Sequence, residues 1–267
     1  MRAVTQALRD GSVIMWRNLV ALRRVPDGVL ALTVQPIMFV LLFAYVFAGS
    51  LGGDAYREFL IPGIFAQTVA FNVVFTTIGM ANDLQKGILD RFRSLPMSRV
   101  AVVLGRTAAD LWVSVITLAV MAVTGLLVGW RIRGGIVDAL AGFALLLLFS
   151  FAMSWIGVFI GLAARSVEVA QSLGLIWLFP LTFVSSAFVS VQGFPSWLQP
   201  VGLWNPITAV IQALRKLFGN PVELPGWSLP DAWPVQHPEL YAVLSSLVII
   251  VVFLPLAVRS YRRVASR

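Results

Sequence analysis

The sequence predicts an all-α polytopic membrane protein of six spanning helices, on three observations. Mean hydropathy is +0.88 and only 12% of residues are charged, about half the share found in soluble domains. Several apolar runs approach or exceed the roughly 20 residues a helix needs to cross the hydrocarbon core. The basic residues gather between alternate runs, as they do in cytoplasmic loops. A length of 267 residues leaves room for a single membrane domain and little soluble mass. The net charge of +8 therefore belongs to topology and not to nucleic acid. With no cysteine in the chain, disulfides, thiolate nucleophiles and cysteine metal sites are excluded.

Residues 2–24 form an amphipathic pattern. Val4, Leu8, Met15, Leu19 and Leu22 share one helical face, and Arg2, Arg9, Arg17 and Arg24 the other; Val13 and Val20 fall on the wrong side. Such a helix lies in the membrane interface; the alternative is a solvated extension. Arginines interrupt the segment throughout, so it has no signal-peptide core.

Span one is expected over 29–48, kinked at Gln35-Pro36, and span two over 59–80, with Pro62 in its first turn. Spans three and four cover 107–130 and 138–163. Span five covers 169–190, bent by Pro180, and span six covers 239–258, opened by Pro238. With both termini inside, the inner side holds all 20 Lys and Arg residues except Arg57, Arg131, Arg133, Arg215 and Lys216.

The outer connection between spans five and six carries a short apolar helix. Asn205-Pro206 supplies a cap and a first-turn proline, and Arg215-Lys216 with Gly219 close it. At 1.5 Å per residue, a helix over 207–218 is only about 20 Å long and cannot cross. Residues 194–218 therefore read as short helices dipping in from outside, with Asn205, Pro206 and Thr208 as their defining residues.

Between spans two and three lies a charged segment, 81–99, holding Asp83, Lys86, Asp90, Arg91, Arg93 and Arg99. As a helix over 82–95 it puts Leu84, Ile88, Phe92 and Leu95 on one stripe and Asp83, Lys86, Asp90 and Arg93 on another, with Pro96 stopping it. Two readings fit: a solvated interfacial helix, or a docking helix held by the membrane domain and offered to a cytoplasmic protein.

The run Asp83-Leu-x2-Gly87-Ile-Leu-Asp90-Arg91-Phe-Arg93-Ser-Leu-Pro96-Met-Ser-Arg99, followed by Gly105-Arg106 and Asp110, resembles the cytoplasmic loop of ABC-2-type permeases, daunorubicin-resistance-type drug exporters above all. Asn205-Pro206-Ile-Thr208 is similar to a second motif of that family. The resemblance covers nearly the whole chain and implies the ABC-2 (type V) exporter fold, with 82–95 as the coupling helix. It implies a transporter half driven by a separate ATPase in two copies, which would bind the ATP and Mg; this chain would bind no cofactor and no metal. Asp83, Lys86, Asp90, Arg91, Arg93, Pro96 and Arg99 would then be the ATPase-coupling residues. The chain has no G-x-x-x-x-G-K-[ST] of its own, so it is not expected to be an enzyme. A second permease, identical or related, would complete a dimer in the bacterial plasma membrane, among its lipids.

Gln35, Phe39, Gln67, Asn72 and Ser185 are the candidates for a substrate path. Thr76, Thr77, Ser186, Phe43, Phe71 and Phe75 share that possibility, with interhelical hydrogen bonding or lipid contact as the alternative. Gly125-x3-Gly129 and Gly157-x3-Gly161 permit close helix approach, as packing or as a moving seam. His237 stands alone outside, and Trp197, Trp204, Trp227 and Trp233 read as an interfacial belt. The expected cargo is a hydrophobic or amphipathic drug, natural product or lipid; a lipid-linked glycan is the alternative. A gradient-driven carrier is the second alternative, disfavoured because Asp110, Asp138 and Glu168 all lie near span ends.

Overall fold

The computed structural model of the protein describes residues 2–24, 26–47, 53–88, 91, 99–222 and 230–264. Among the described residues all regular structure is helical. In chain order the helices are α1 (Arg2–Arg23), α2 (Pro26–Leu41), α3 (Gly53–Gln85), α4 (Arg99–Leu127), α5 (Ile136–Ala163) and α6 (Val167–Phe183). They continue with α7 (Gln199–Leu203), α8 (Pro206–Phe218), α9 (Trp233–Gln236) and α10 (Pro238–Val264).

Stretches within α3, α4, α5 and α10 are each long and apolar enough to cross a bilayer, which makes this a multi-pass membrane protein. Of the other two expected spans, the first is helical without a break: α2 runs through Pro36 into a wider π-helical turn, Leu42–Phe47. α6 stops at Phe183, seven residues before the expected end. Pro180 lies in its last turn, and the chain then turns through Ser185–Ser190.

α3 is the central helix. It packs along α5 and also meets α6, α4 and α8. Phe59, Leu60, Ile61, Ile64 and Phe65 in its N-terminal half are fully buried, so this part reads as continuously apolar and not amphipathic. α3 begins earlier than expected, so Pro62 sits inside it and not in its first turn. The missing N–H there leaves the Glu58 carbonyl without its helical donor. α5 can lie close to α3 because of Gly157 and Gly161: a Cβ at either would come within 2.8 Å of the Val73 and 2.6 Å of the Thr77 carbonyl oxygens respectively. That pair is a packing seam, as the spacing suggested.

The other small-residue pair is not one. α4 starts two turns before the expected span and ends at Leu127, and Gly129 takes φ +97° in the turn that follows. Trp130, expected in the span, is buried beyond this turn, and its indole N–H donates to Asn220 Oδ1 at 2.9 Å. α1 rests on α4 through a buried Ile14, leaving Val13 and Trp16 exposed.

The charged segment differs most from its expected form. α3 continues through Gln85, and Gly87 takes φ +62°, a conformation that glycine alone adopts at little cost. Helical bonding resumes beyond it, with the Arg91 N–H donating to the Gly87 carbonyl at 3.2 Å. A single helix over 82–95 is therefore ruled out. Asp83 and Leu84 belong to the end of α3, and any loop helix starts after Gly87. Asp90, Arg93 and Pro96 lie outside the described residues.

Candidate functional site

A cavity of about 540 Å³ opens between α2, α3, α4, α6 and the turn after α6. All five residues expected on a substrate path line it: Gln35 and Phe39 from α2, Gln67 and Asn72 from α3, and Ser185 from the turn. Helical spacing explains the α3 wall, since Gln67, Phe71 and Phe75 recur every four residues. Thr68 and Asn72 form a second such row. Most of the rest is aromatic. Six rings form a chain of neighbours, Phe47, Phe43, Phe188, Phe183, Phe179 and Phe71, each centroid 4.7–6.0 Å from the next. One side of the cavity is open, where Phe75, Phe179 and Phe183 are exposed.

Below the cavity, α3 and α4 face each other along a polar seam. α3 contributes Asn72, Thr76, Gly79 and Asp83; α4 contributes Arg106, Asp110, Ser114 and Thr117. Both sets recur at three- and four-residue intervals, one face of a helix each. At the end of the seam away from the cavity the Asp83 carboxylate meets Arg17 of α1 at 3.1 Å and Arg106 at 3.7 Å. Arg106 also reaches Asp110 at 3.6 Å, and its guanidinium occupies the space a side chain at Gly79 would need. Asp110 accepts a hydrogen bond from the Thr76 hydroxyl at 2.9 Å. One turn further up, Asn72 donates to Ser114 at 3.4 Å, and Ser114 shares a 2.6 Å hydrogen bond with Ser150 of α5.

Asp83 was expected on a charged stripe facing water or a docked ATPase. Its side chain is only 15% exposed, and its partners are within the membrane domain. Lys86 and Arg91 are exposed. Arg99 opens α4, and its side chain lies outside what is described. Sequence reasoning missed Arg17 as a partner because 66 positions separate it from Asp83. Arg106 and Asp110 did carry a local signal, their i,i+4 spacing.

The Asn205-Pro206 motif joins two helices. Asn205 Oδ1 caps α8 by accepting from the Ile207 N–H at 2.9 Å. Its amide nitrogen donates to the Leu181 and Val184 carbonyls, both at 2.7 Å, at the C-terminal end of α6, where helical donors run out. Pro206 sits at the first helical position, and Thr208 Oγ accepts from the Ser186 N–H at 3.2 Å. Behind them Arg215, expected to help close this helix, is 1% exposed. It donates to the Phe59 and Ser186 carbonyls at 2.9 and 2.7 Å and lies 3.4 Å above the Phe59 ring.

Residues 10–218 match the family model of the ABC-2 type transporter. The chain belongs to the ABC-2 transporter family. Like it is a daunorubicin resistance ABC transporter permease protein of Streptomyces coeruleorubidus, 30% identical over 93% of this chain and 84% of that one. A probable doxorubicin resistance ABC transporter permease protein of Mycobacterium tuberculosis is 25% identical over 74% and 72% of the two chains. A putative transport permease of Cyanophora paradoxa is 23% identical over 78% and 73%. In this ABC-2 chain the matched region ends with α8, so the cavity, the polar seam and the capped outer helix all fall within it.

Proposed function

We propose that this protein is the membrane permease of an ATP-driven exporter that moves a hydrophobic or amphipathic compound, drug-like as in its relatives' names, out of a bacterial cell. In this reading α2 with its π-helical turn and α6 complete six crossings, both termini face the cytoplasm, and two permease chains pair. A separate ATPase, which carries the ATP and Mg, docks on the inner charged segment through Lys86, Asp90, Arg91, Arg93, Pro96 and Arg99. The observation that carries the reading is the cavity. Five residues picked for a substrate path meet in its wall, on a chain of the ABC-2 family that has no phosphate-binding loop.

Asp83 takes a different part. It braces the root of the docking segment against α1 and α4, so displacement of that segment acts on the polar seam leading to the cavity. The test is co-expression with a P-loop ATPase subunit of the drug-exporter type, followed by transport in proteoliposomes. ATP-dependent, vanadate-sensitive export is expected, and Asp90→Ala or Arg93→Ala should uncouple transport or release the ATPase. Gradient-driven transport by the purified chain alone would reject the reading.

A further inference from the structure

The polar seam between α3 and α4 holds one arginine whose contacts are unusually long. Among the described residues, Arg17, Arg57 and Arg133 each hold a carboxylate at 3.1 Å or less, and Arg215 holds two carbonyls at 2.7 and 2.9 Å. Arg106 has two carboxylates and reaches neither at hydrogen-bond distance: Asp83 is 3.7 Å from Nη1 and Asp110 is 3.6 Å from Nε. Its bond from Nη2 to the Phe75 carbonyl is also long, at 3.5 Å, and Nε is buried with no hydrogen-bond partner. Charge-assisted bonds of this kind run to about 2.7–2.9 Å, so the guanidinium gains by moving towards either acid.

The two acids lie to opposite sides of it. Asp110 accepts from the Thr76 hydroxyl, and Thr76 and Asp83 are two helical turns, about 10 Å, apart on one face of α3. Between them Gly79 leaves a notch that the guanidinium fills, since a Cβ there would overlap it. One of the acids is also better fixed than the other. Thr76 stands at the close contact with α5, where a Cβ on Gly157 would come within 2.9 Å of its side chain. Asp83 is in the last turn of α3, just before Gly87 and the charged segment. Motion of that segment therefore changes the Arg106–Asp83 separation and leaves the Asp110 site in place.

We propose that Arg106 is a two-position switch. It bonds either to Asp83, tying α4 to α3, or to Asp110 one turn along its own helix, releasing the end of α3. This rests on the permease reading and deepens it, by naming the group that passes a movement of the docking segment to the seam. The positions exclude each other, because closing one gap widens the other. Neither position strands a buried charge, which would be costly: Asp83 keeps Arg17 at 3.1 Å and Asp110 keeps Thr76 at 2.9 Å whichever holds the guanidinium. When Asp83 is drawn away, Arg106 falls back on Asp110, whose carboxylate is then shared more evenly with Thr76. Thr76 continues the α3 row of Thr68 and Asn72 in the cavity wall, so the exchange is felt where the seam meets the cavity.

The test uses the full chain with a P-loop ATPase subunit of the drug-exporter type, in lipid nanodiscs, and reads ATP hydrolysis without added cargo. Asp83→Asn leaves Arg106 to Asp110, and Asp110→Asn leaves it to Asp83. The two should therefore move the rate in opposite directions, each by about tenfold, the worth of one charge-assisted hydrogen bond. A merely structural role would lower both rates. Asp110→Glu keeps the carboxylate and should stay within about threefold of the wild type. In an Arg106→Gln background the opposition should vanish. Gly79→Ala touches neither acid but expels the guanidinium from its notch, and should cancel the effect of Asp110→Asn; that comparison decides alone should Asp83→Asn not assemble. Changes of the same sign in the two Asn variants, opposition that persists with Arg106→Gln, or an undiminished Asp110→Asn effect with Gly79→Ala overturns the proposal. Each of these, with the ATPase still co-purifying, leaves the permease reading standing. A wild-type chain that does not retain the ATPase fails that reading, and the switch with it.

Discussion

Arg17 of the N-terminal helix places its guanidinium 3.1 Å from the Asp83 carboxylate, at the last turn of α3. The pair ties a peripheral helix to the central one just before the chain leaves it for the charged segment. Arg106 shares the same carboxylate from α4, so three helices meet on one acid.

Asp83→Asn should therefore destabilise the protein beyond the loss of a surface ion pair. We expect about 1–3 kcal/mol, between exposed and buried pairs, read as a lower thermal unfolding midpoint in detergent. A double-mutant cycle with Arg17→Gln should return a coupling energy of about 1 kcal/mol. Additive effects would remove the brace.

Asn205→Ala should cost about 2 kcal/mol or more, because it removes an N-cap and strands the Leu181 and Val184 carbonyls at once. Asn205→Asp keeps the acceptor that caps α8 and loses the donor to α6, so it should fall between. Unfolding of the three variants in one detergent checks the order; equal stability of Asp and Ala would assign the whole effect to the donor side.

Gly161→Ala should destabilise by about 1–3 kcal/mol, since its Cβ would press on the Thr77 carbonyl. Gly174→Ala is the control: its Cβ finds its nearest neighbour at 3.6 Å, ordinary contact distance, and should be tolerated. Comparable losses at both positions would mean that helix approach is not the limiting factor.

Arg215→Met should be milder than its burial suggests. Arginine and carbonyl partners leave together in water only when the protein unfolds, and a long apolar side chain fills the same space over Phe59. The Phe59 and Ser186 carbonyls lose a donor, so we expect about 1–3 kcal/mol. Arg215→Ala adds a cavity and should exceed it by about 1–2 kcal/mol. Chemical denaturation of both variants, with Met at least as damaging as Ala, would refute the packing share.

Apolar run lengths made the long helices legible in the sequence, and the capping logic of Asn205-Pro206 correctly located the short outer helix. Phe39, Gln67, Asn72 and Ser185 were legible as polar or aromatic residues within apolar runs, though no pattern showed that they face one space. The misses share a cause. Helical phasing put Asp83 on a charged stripe with Asp90 and Arg93, because period says which residues share a face and not what lies opposite. What lies opposite is Arg17 and Arg106, brought there by tertiary packing. Similarly, Arg215 read as a favourable last-turn cation, since the carbonyls that surround it come from α3 and from the break after α6.

The contact of Gly157 and Gly161 with α3 falls between Val73 and Met80, level with Phe75 at the cavity's edge and between Gln67 and Asp83. It therefore divides the helix into two arms about a fulcrum. Taking Thr77 as the pivot, Asp83 is about 9 Å away and Gln67 about 15 Å, at 1.5 Å per residue. Any tilt about that point moves the two in opposite directions, and 1 Å at the acid becomes about 1.7 Å at the amide. The absence of side chains on α5 at the pivot is thus what sets the gear ratio of the helix.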